Sequence, residues 1–407
     1  MSNYPRVRWL DLQPVYHQGQ RMWLLRDPLE LDQRQLILPP LLAHMLRYLD
    51  GEHSLDEIQQ ALSADAGFSV PAEAIAEALE ELDKAYLLDN ARAQAAQDAQ
   101  LDAYRAQPFR PPALADLSYP GQESQLVQLF EQYAAGDDLG QWNGWTGRGI
   151  VSPHIDYQRG GPVYARVWNR SAESLLAADL VIILGTDHNG SPGSITLTRQ
   201  PYATPFGVLP TDLGVINHLA AAIGETNAFA EELHHRAEHS VELSTVWLHD
   251  VFHQAGQPPC PVVPILVGSF HHFLGNGSHP SQDETLQNFL TALREATAGR
   301  RVVIVGSVDL AHVGPAFGDT FPMDAARRSR LENEDEKLIE SILTGDADGF
   351  YRRIAQVRDR NRICGFAPLY LMLSYLGPTT GHYIDYRHCP ADDQDTSLVS
   401  ICGLLLE

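Results

Sequence analysis

Two histidines each follow a short apolar run: His154 in Gly149-Ile150-Val151-Ser152-Pro153-His154, and His188 in Leu184-Gly185-Thr186-Asp187-His188. Imidazoles at strand exits stand at the rim of a sheet, where open α/β sheets bind ligands. A neutral imidazole ligates iron, copper or zinc, and two histidines with one carboxylate leave coordination positions open. One strand-end histidine is more often a hydrogen-bonded structural residue; two at consecutive strand exits favour a shared site. His239, in Glu238-His239-Ser240-Val241-Glu242, carries a side chain of the type suited to proton transfer, or sits at a helix cap with Ser240 supplying the oxygen. Asp309 and His312 follow Val302 to Val305 closely enough to share a turn, the carboxylate orienting the imidazole. The segment Tyr386 to Ser397 supplies a thiol, Cys389, and carboxylates including Asp392, and a third ligand is expected there. His234, His235, His271 and His272 lie in polar segments and are read as surface residues, whereas Cys260 and Cys402 adjoin apolar runs and are read as core.

These residues need a sheet to position them. Apolar runs at Gly149 to Ser152, Leu180 to Leu184, Val262 to Val267, Arg301 to Val305 and Leu398 to Leu406 read as strands. They alternate with helical spacing over Val163 to Leu176, Leu213 to Ile223, Val241 to His253, Glu284 to Thr297, Ala325 to Leu343 and Ala367 to Leu376, which gives an α/β class. Ahead of them, Met22 to Leu25 and Leu36 to Leu38 suggest a hairpin. A helix through Leu42 and Leu49 closes at Gly51, Ser54-Leu55-Asp56-Glu57 is a capping box, and Pro71 opens a third helix. This is a winged-helix-like α+β arrangement. The expected division is a domain over 1–92, an exposed helix or linker over 93–108, a loop over 137–147, and the chemistry-bearing domain over 109–407.

The chain has 407 residues, 29 Lys+Arg against 52 Asp+Glu, and a net charge of −23. It has no cationic excess with which to displace phosphate counterions, so no nucleic-acid partner is expected, nor an anionic membrane surface. Four cysteines without a C-x-x-C pair do not make a disulfide framework. No apolar run approaches the ~18 residues of a membrane span, and the first residues have no apolar signal core, so a cytoplasmic protein is expected.

The first segment resembles the PqqD-like peptide-recognition domains, through Tyr48-Leu49-Asp50-Gly51-Glu52-His53-Ser54-Leu55-Asp56-Glu57-Ile58 and Leu79 to Leu88. That resemblance implies a peptide or protein partner added to a sheet edge. From about residue 109 the chain resembles the Memo family. The resemblance runs in order through Arg110-Pro111-Pro112, Pro153-His154-Ile155-Asp156-Tyr157, Gly185-Thr186-Asp187-His188, Glu238-His239-Ser240-Val241-Glu242, Ser307-Val308-Asp309-Leu310-Ala311-His312, Ile363-Cys364-Gly365-Phe366-Ala367-Pro368 and Asp395-Thr396-Ser397. It implies a central mixed sheet flanked by helices, like that of class III extradiol dioxygenases, and a metal held by His154 and His188. His239, Asp309 and His312 would line the same pocket, and one of these histidines would be the acid/base. The resemblance places the third ligand before the last strand. There the spacing falls on Pro390, a small gap giving Asp392 in one direction and Cys389 in the other. Asp392 is preferred, with Fe(II) as the metal; Cys389 would give a softer site suited to copper or iron. Ile155 and Asp156 replace a usual Ala-Gly pair, which implies an altered substrate.

Two function classes follow. One is a redox or dioxygenase-like enzyme on a small aromatic or peptide substrate. The other is a non-catalytic, metal-dependent peptide-binding scaffold or a metal-handling protein.

Overall fold

A computed structural model describes residues 3–407 except 18, 33, 35, 138–141, 143 and 276. The loop expected over 137–147 therefore lies partly outside the described residues. The chain divides into two compact units, Met1–Ala106 and Gln107–Glu407.

The first unit has an antiparallel sheet, β1 (Asp11–His17), β2 (Gln20–Arg26) and β3 (Leu36–Leu38), in that order. Helices α1 (Pro40–Met45), α2 (Leu55–Ala66), α3 (Ala72–Lys84) and α4 (Ala91–Ala106) follow. Ser54 and Glu57 close a reciprocal capping box at α2, and Gly67 ends that helix in the left-handed conformation. Ile58, Leu62, Ile75, Leu79 and Leu82 fall on the inner faces of α2 and α3 and pack with Leu25, Met45 and Leu49. The residues 93–108 read as an exposed helix or linker lie mostly in α4.

The second unit is a mixed α/β layer. Its strands are β4 (Gly149–Ser152), β5 (Leu180–Thr186), β6 (Ile195–Leu197), β7 (Tyr202–Thr204), β8 (Gly207–Leu209), β9 (Val262–Val267), β10 (Val302–Ser307), β11 (His312–Val313), β12 (Gly381–Pro390) and β13 (Leu398–Leu406). Its helices are α5 (Glu123–Ala134), α6 (Tyr157–Ala177), α7 (Leu213–Ile223), α8 (Glu225–Ala228), α9 (His239–Gln254), α10 (Glu284–Thr297), α11 (Ala325–Leu343), α12 (Ala347–Gln356) and α13 (Phe366–Leu376). The sheet runs β11-β13-β4-β10-β5-β9-β6, with β12 also paired to β13 and a separate hairpin β7-β8. β4, β10, β5 and β9 are parallel, whereas β13 and β6 flank them antiparallel. The parallel strands are buried along their whole length, which is why they read as continuous apolar runs. One face packs on α7, α10 and α13, the other on α6 and α9.

Two elements depart from expectation. α6 begins at Tyr157 rather than Val163, capped by the Asp156 side chain, and carries Pro162 inside it. The Gly160-Gly161-Pro162 signal hid its start. Gly381–Pro390, expected in part as a loop, is the long strand β12, with Cys389 opposite Val399 and Pro390 opposite Leu398.

Candidate metal centre

His154, His188 and Asp309 leave the carboxyl ends of three neighbouring strands, β4, β5 and β10. His239 is the first residue of α9, whose cap is Glu238 rather than Ser240. Gly185 lets α9 approach β5, since a Cβ there would stand 2.5 Å from the Ser240 hydroxyl. That approach brings His239 over His188, their rings stacked at 4.6 Å, and both lie 5.1 Å from the His154 ring. Nitrogens of the three imidazoles lie within 4.8 Å of one another.

The other ring nitrogens are tied down. His154 Nδ1 lies 3.0 Å from the Ser307 carbonyl and donates to it. His188 Nδ1 is 3.1 Å from both Glu238 oxygens, and His239 Nδ1 is 3.0 Å from one of them. Each partner is an acceptor, so each Nδ1 carries a proton and Nε2 is the nitrogen left for the cluster. Orientation of ligating imidazoles by carboxylates and carbonyls is the usual support of a metal site. Burial alone would raise the Glu238 pKa, but the two imidazoles hold it well below the carboxylate range. Glu238 also accepts from the Ser240 amide at the start of α9, where the helix dipole favours an anion.

A thiol completes the cluster. Cys364 Sγ is 3.2 Å from His154 Nε2, and Asp309 Oδ2 is 3.7 Å from the same nitrogen. His154, Asp309 and Cys364 form a second group with metal-ligand spacing. Gly365 permits this approach, because a Cβ there would meet Val308 at 2.7 Å and the Asp309 carbonyl at 2.8 Å. The buried Asp309 carboxylate accepts from the His154 and Ile155 amides, and burial pushes its pKa up to about 6. His312 lies on the same pocket. Its Nδ1 is 3.2 Å from the Leu310 and Arg362 carbonyls, so Nε2 is the basic nitrogen. Burial lowers the His312 pKa to about 4. Asp309 and His312 do not share a helical turn: Asp309 sits in a loop and His312 begins β11.

The residues expected to supply a third ligand before β13 lie apart from the clustered groups. The Asp392 oxygens accept from the Gln394 and Thr396 amides and the Thr396 hydroxyl, closing a turn. Cys389 lies on β12, buried among Ile155, Val163, Val399 and Ile401. Neither belongs to the ligand-like groups found among the described residues. Cys364 and Glu238 are the members of the cluster to which sequence reasoning gave no role. Cys364 had a signal, a cysteine one residue ahead of the Gly365 cap of an apolar helix, although burial pushes its thiol pKa up. His235 is corrected: it is fully buried, between the Tyr202 hydroxyl and the Thr196 carbonyl.

The cluster opens into a cavity of about 550 Å³. Its walls are apolar at Leu114, Leu243, Phe317 and Val399, and its charged pair is Asp156 with Arg159. Arg159 donates to Asp156 at 2.6 Å and to the Pro390 carbonyl at 3.0 Å.

An α/β layer with imidazoles and a thiol converging at the carboxyl ends of its parallel strands defines a class of ligand-binding proteins. The family model described as "Memo-like protein" matches residues 110–404. The chain belongs to the Memo-like family. A "MEMO1 family protein" of Aquifex aeolicus (strain VF5) is 26% identical over 98% of this chain and 99% of its own length. One from Methanosarcina barkeri is 27% identical over 74% of this chain and 100% of its own length. A Thermus thermophilus relative is 26% identical over 72% of this chain and 82% of its own. The Aquifex alignment is thus long enough to take in the first unit, which the Memo-like match does not reach.

Proposed function

We propose that the chain is a non-haem metalloenzyme of redox or dioxygenase-like type, with His154, His188 and Cys364 holding one metal ion. The carrying observation is the convergence of imidazole nitrogens beside a thiol, each imidazole fixed through Nδ1. Two imidazoles and a thiolate suit iron or copper, and Fe(II) is the first choice. The bound ion would supply one-electron chemistry toward O2. The protein's residues do the rest. His312, neutral above its lowered pKa, accepts a proton at Nε2, and His239 is the second proton carrier at the same cavity. Leu243, Phe317 and Val399 exclude water around a small aromatic group or a peptide side chain, and the Asp156–Arg159 pair marks a polar end.

The test is metal analysis of protein purified without oxygen, then O2 uptake with candidate phenols and peptides. Wild type should carry about one iron or copper per chain, lost in His154→Ala and His188→Ala. Uptake should depend on His312. Equal, negligible metal in all three proteins would sink the reading.

A second reading, a metal-dependent peptide-binding scaffold, is favoured by one observation. The first unit has a groove of about 690 Å³ lined by Trp9, Leu10, Leu12, Trp23 and Leu25, with His44 and Arg47 at its edge. Stoichiometric metal without uptake, together with micromolar peptide binding abolished by Trp23→Ala, would favour it. No helix among the described residues is long and apolar enough to cross a membrane.

A further inference from the structure

Residues 358–362 connect α12 to the loop that carries Cys364, and three of them have left-handed backbone: Arg358 at φ 50°, Asp359 at φ 46° and Arg362 at φ 53°. None is glycine, so each is strained and persists only where its surroundings dictate it. Packing supports the segment on one side only. A cavity of about 210 Å³ lies against Val357, Asp359, Asn361 and Ile363. Hydrogen bonds hold the segment, and four of them are made by Asp359. The Asp359 carboxylate is 1% exposed. One oxygen accepts from the Ile363 amide at 2.9 Å, and the other is 2.5 Å from His271 Nε2. The Asp359 amide donates to Ile354, and its carbonyl accepts from the Arg362 amide.

The segment delivers these constraints to the pocket. The Asn361 carbonyl accepts from the His312 amide at 2.8 Å. The Arg362 carbonyl accepts from His312 Nδ1, and the Arg362 guanidinium donates to the His312 carbonyl at 2.9 Å and to Asp319 at 2.5 Å. Two residues beyond Arg362 stands Cys364.

We propose that residues 358–362 form a strained clip fastened by Asp359 and His271, and that these two are positioning residues for Cys364 and His312. Asp359 lines neither the 550 Å³ cavity of the metal centre nor the ligand cluster. It sets the backbone from which the thiol and the general-base imidazole project. His271, on the short helical turn after β9, supplies the hydrogen bond and positive charge that a buried carboxylate requires. The proposal rests on the metal-site reading above for its consequence, but not for its structure.

The test uses the full chain with Co(II) as probe and two readouts. The thiolate-to-cobalt charge-transfer band reports Cys364 in the ligand set. Hydrogen exchange at the Arg362 and Ile363 amides reports the clip with no metal added. Asp359→Ala should keep cobalt on the histidines, lose most of the charge-transfer band, and exchange those amides at least about tenfold faster. His271→Ala should do the same to a lesser degree, whereas His271→Gln, whose amide donates the same hydrogen bond, should restore the band. If Asp359→Ala does not fold, Asp359→Asn and the His271 pair carry the test. Band and exchange unchanged in Asp359→Ala, or in both Asp359→Asn and His271→Ala, would overturn the proposal. No thiolate band in wild type, with clip exchange still accelerated in the variants, would overturn the metal-site reading and leave the clip standing.

Discussion

His188 and His239 stand at the ends of regular elements, β5 and α9, and one buried carboxylate, Glu238, holds both Nδ1 atoms. Cys364 stands on irregular backbone and His312 on the two-residue strand β11, and the partners of His312 Nδ1 are main-chain carbonyls. The first flank is fixed by a side chain mounted on rigid structure. The second is fixed by the shape of a loop that is itself under strain. A site assembled this way has two failure modes. Losing Glu238 frees two imidazoles at once, whereas loosening the loop moves the thiol and the base while the imidazoles stay in place.

The largest expected effect follows from that contrast. Glu238→Ala removes the acceptor of two ligand-side imidazoles, and metal affinity should fall by about 10–100-fold. Glu238→Gln, which keeps one oxygen acceptor, should fall between. Chelator competition measures both. Affinity in Glu238→Ala equal to wild type would show that the two flanks do not differ in the way described. Cobalt spectra sharpen the point: Glu238→Ala should weaken total binding while the bound fraction keeps its thiolate band, the reverse of Asp359→Ala.

The same contrast separates what the sequence reveals from what it conceals. β4, β5, β9, β10 and β13 are legible because burial on both faces leaves unbroken apolar runs, and His154 and His188 are legible because they follow such runs. The loop flank has no periodicity to read. Cys364 reaches His154 only because Gly365 lets residues 210 positions apart approach, so nothing local announces it. β12 was obscured because its residues are half-buried and polar. His235 looks like a surface residue until long-range folding encloses it.

A second comparison, between buried carboxylates, yields a smaller effect. Glu238 faces two imidazoles that keep it charged. Asp335 on α11 is also fully buried, but its oxygen accepts from the Tyr386 hydroxyl at 2.7 Å. Burial raises its pKa from 3.8 to about 6, against the opposing hydrogen bonds of Ser400 and Tyr386. The folded state therefore binds this proton more tightly than the unfolded state does. The resulting stability is fully present below about pH 4 and is lost as pH rises through about 6, for an upper bound of roughly 3 kcal/mol. Asp335→Asn cannot ionise, so its stability measured by denaturant between those pH values should lack this decline. An unchanged slope would mean that Asp335 does not titrate differently in the two states.

Exposed charge gives the smallest effect. In the first unit Glu57 accepts from the Ser54 amide at 2.8 Å, and the Ser54 hydroxyl accepts from the Glu57 amide. Solvent competes for these bonds, yet the capping box satisfies two amides that the first turn of α2 leaves without helical partners. Ser54→Ala should cost about 1 kcal/mol, the ordinary value of a lost N-cap. That loss belongs to the unit whose core includes Ile58 and Leu62. Denaturant unfolding followed by hydrogen exchange should show it in amides of α2 and α3 and not in β5 or β10, with metal affinity unchanged. Faster exchange in β5 would mean that the capping box stabilises structure beyond its own unit. The local cost of a surface carboxylate would then be no guide to the buried ones.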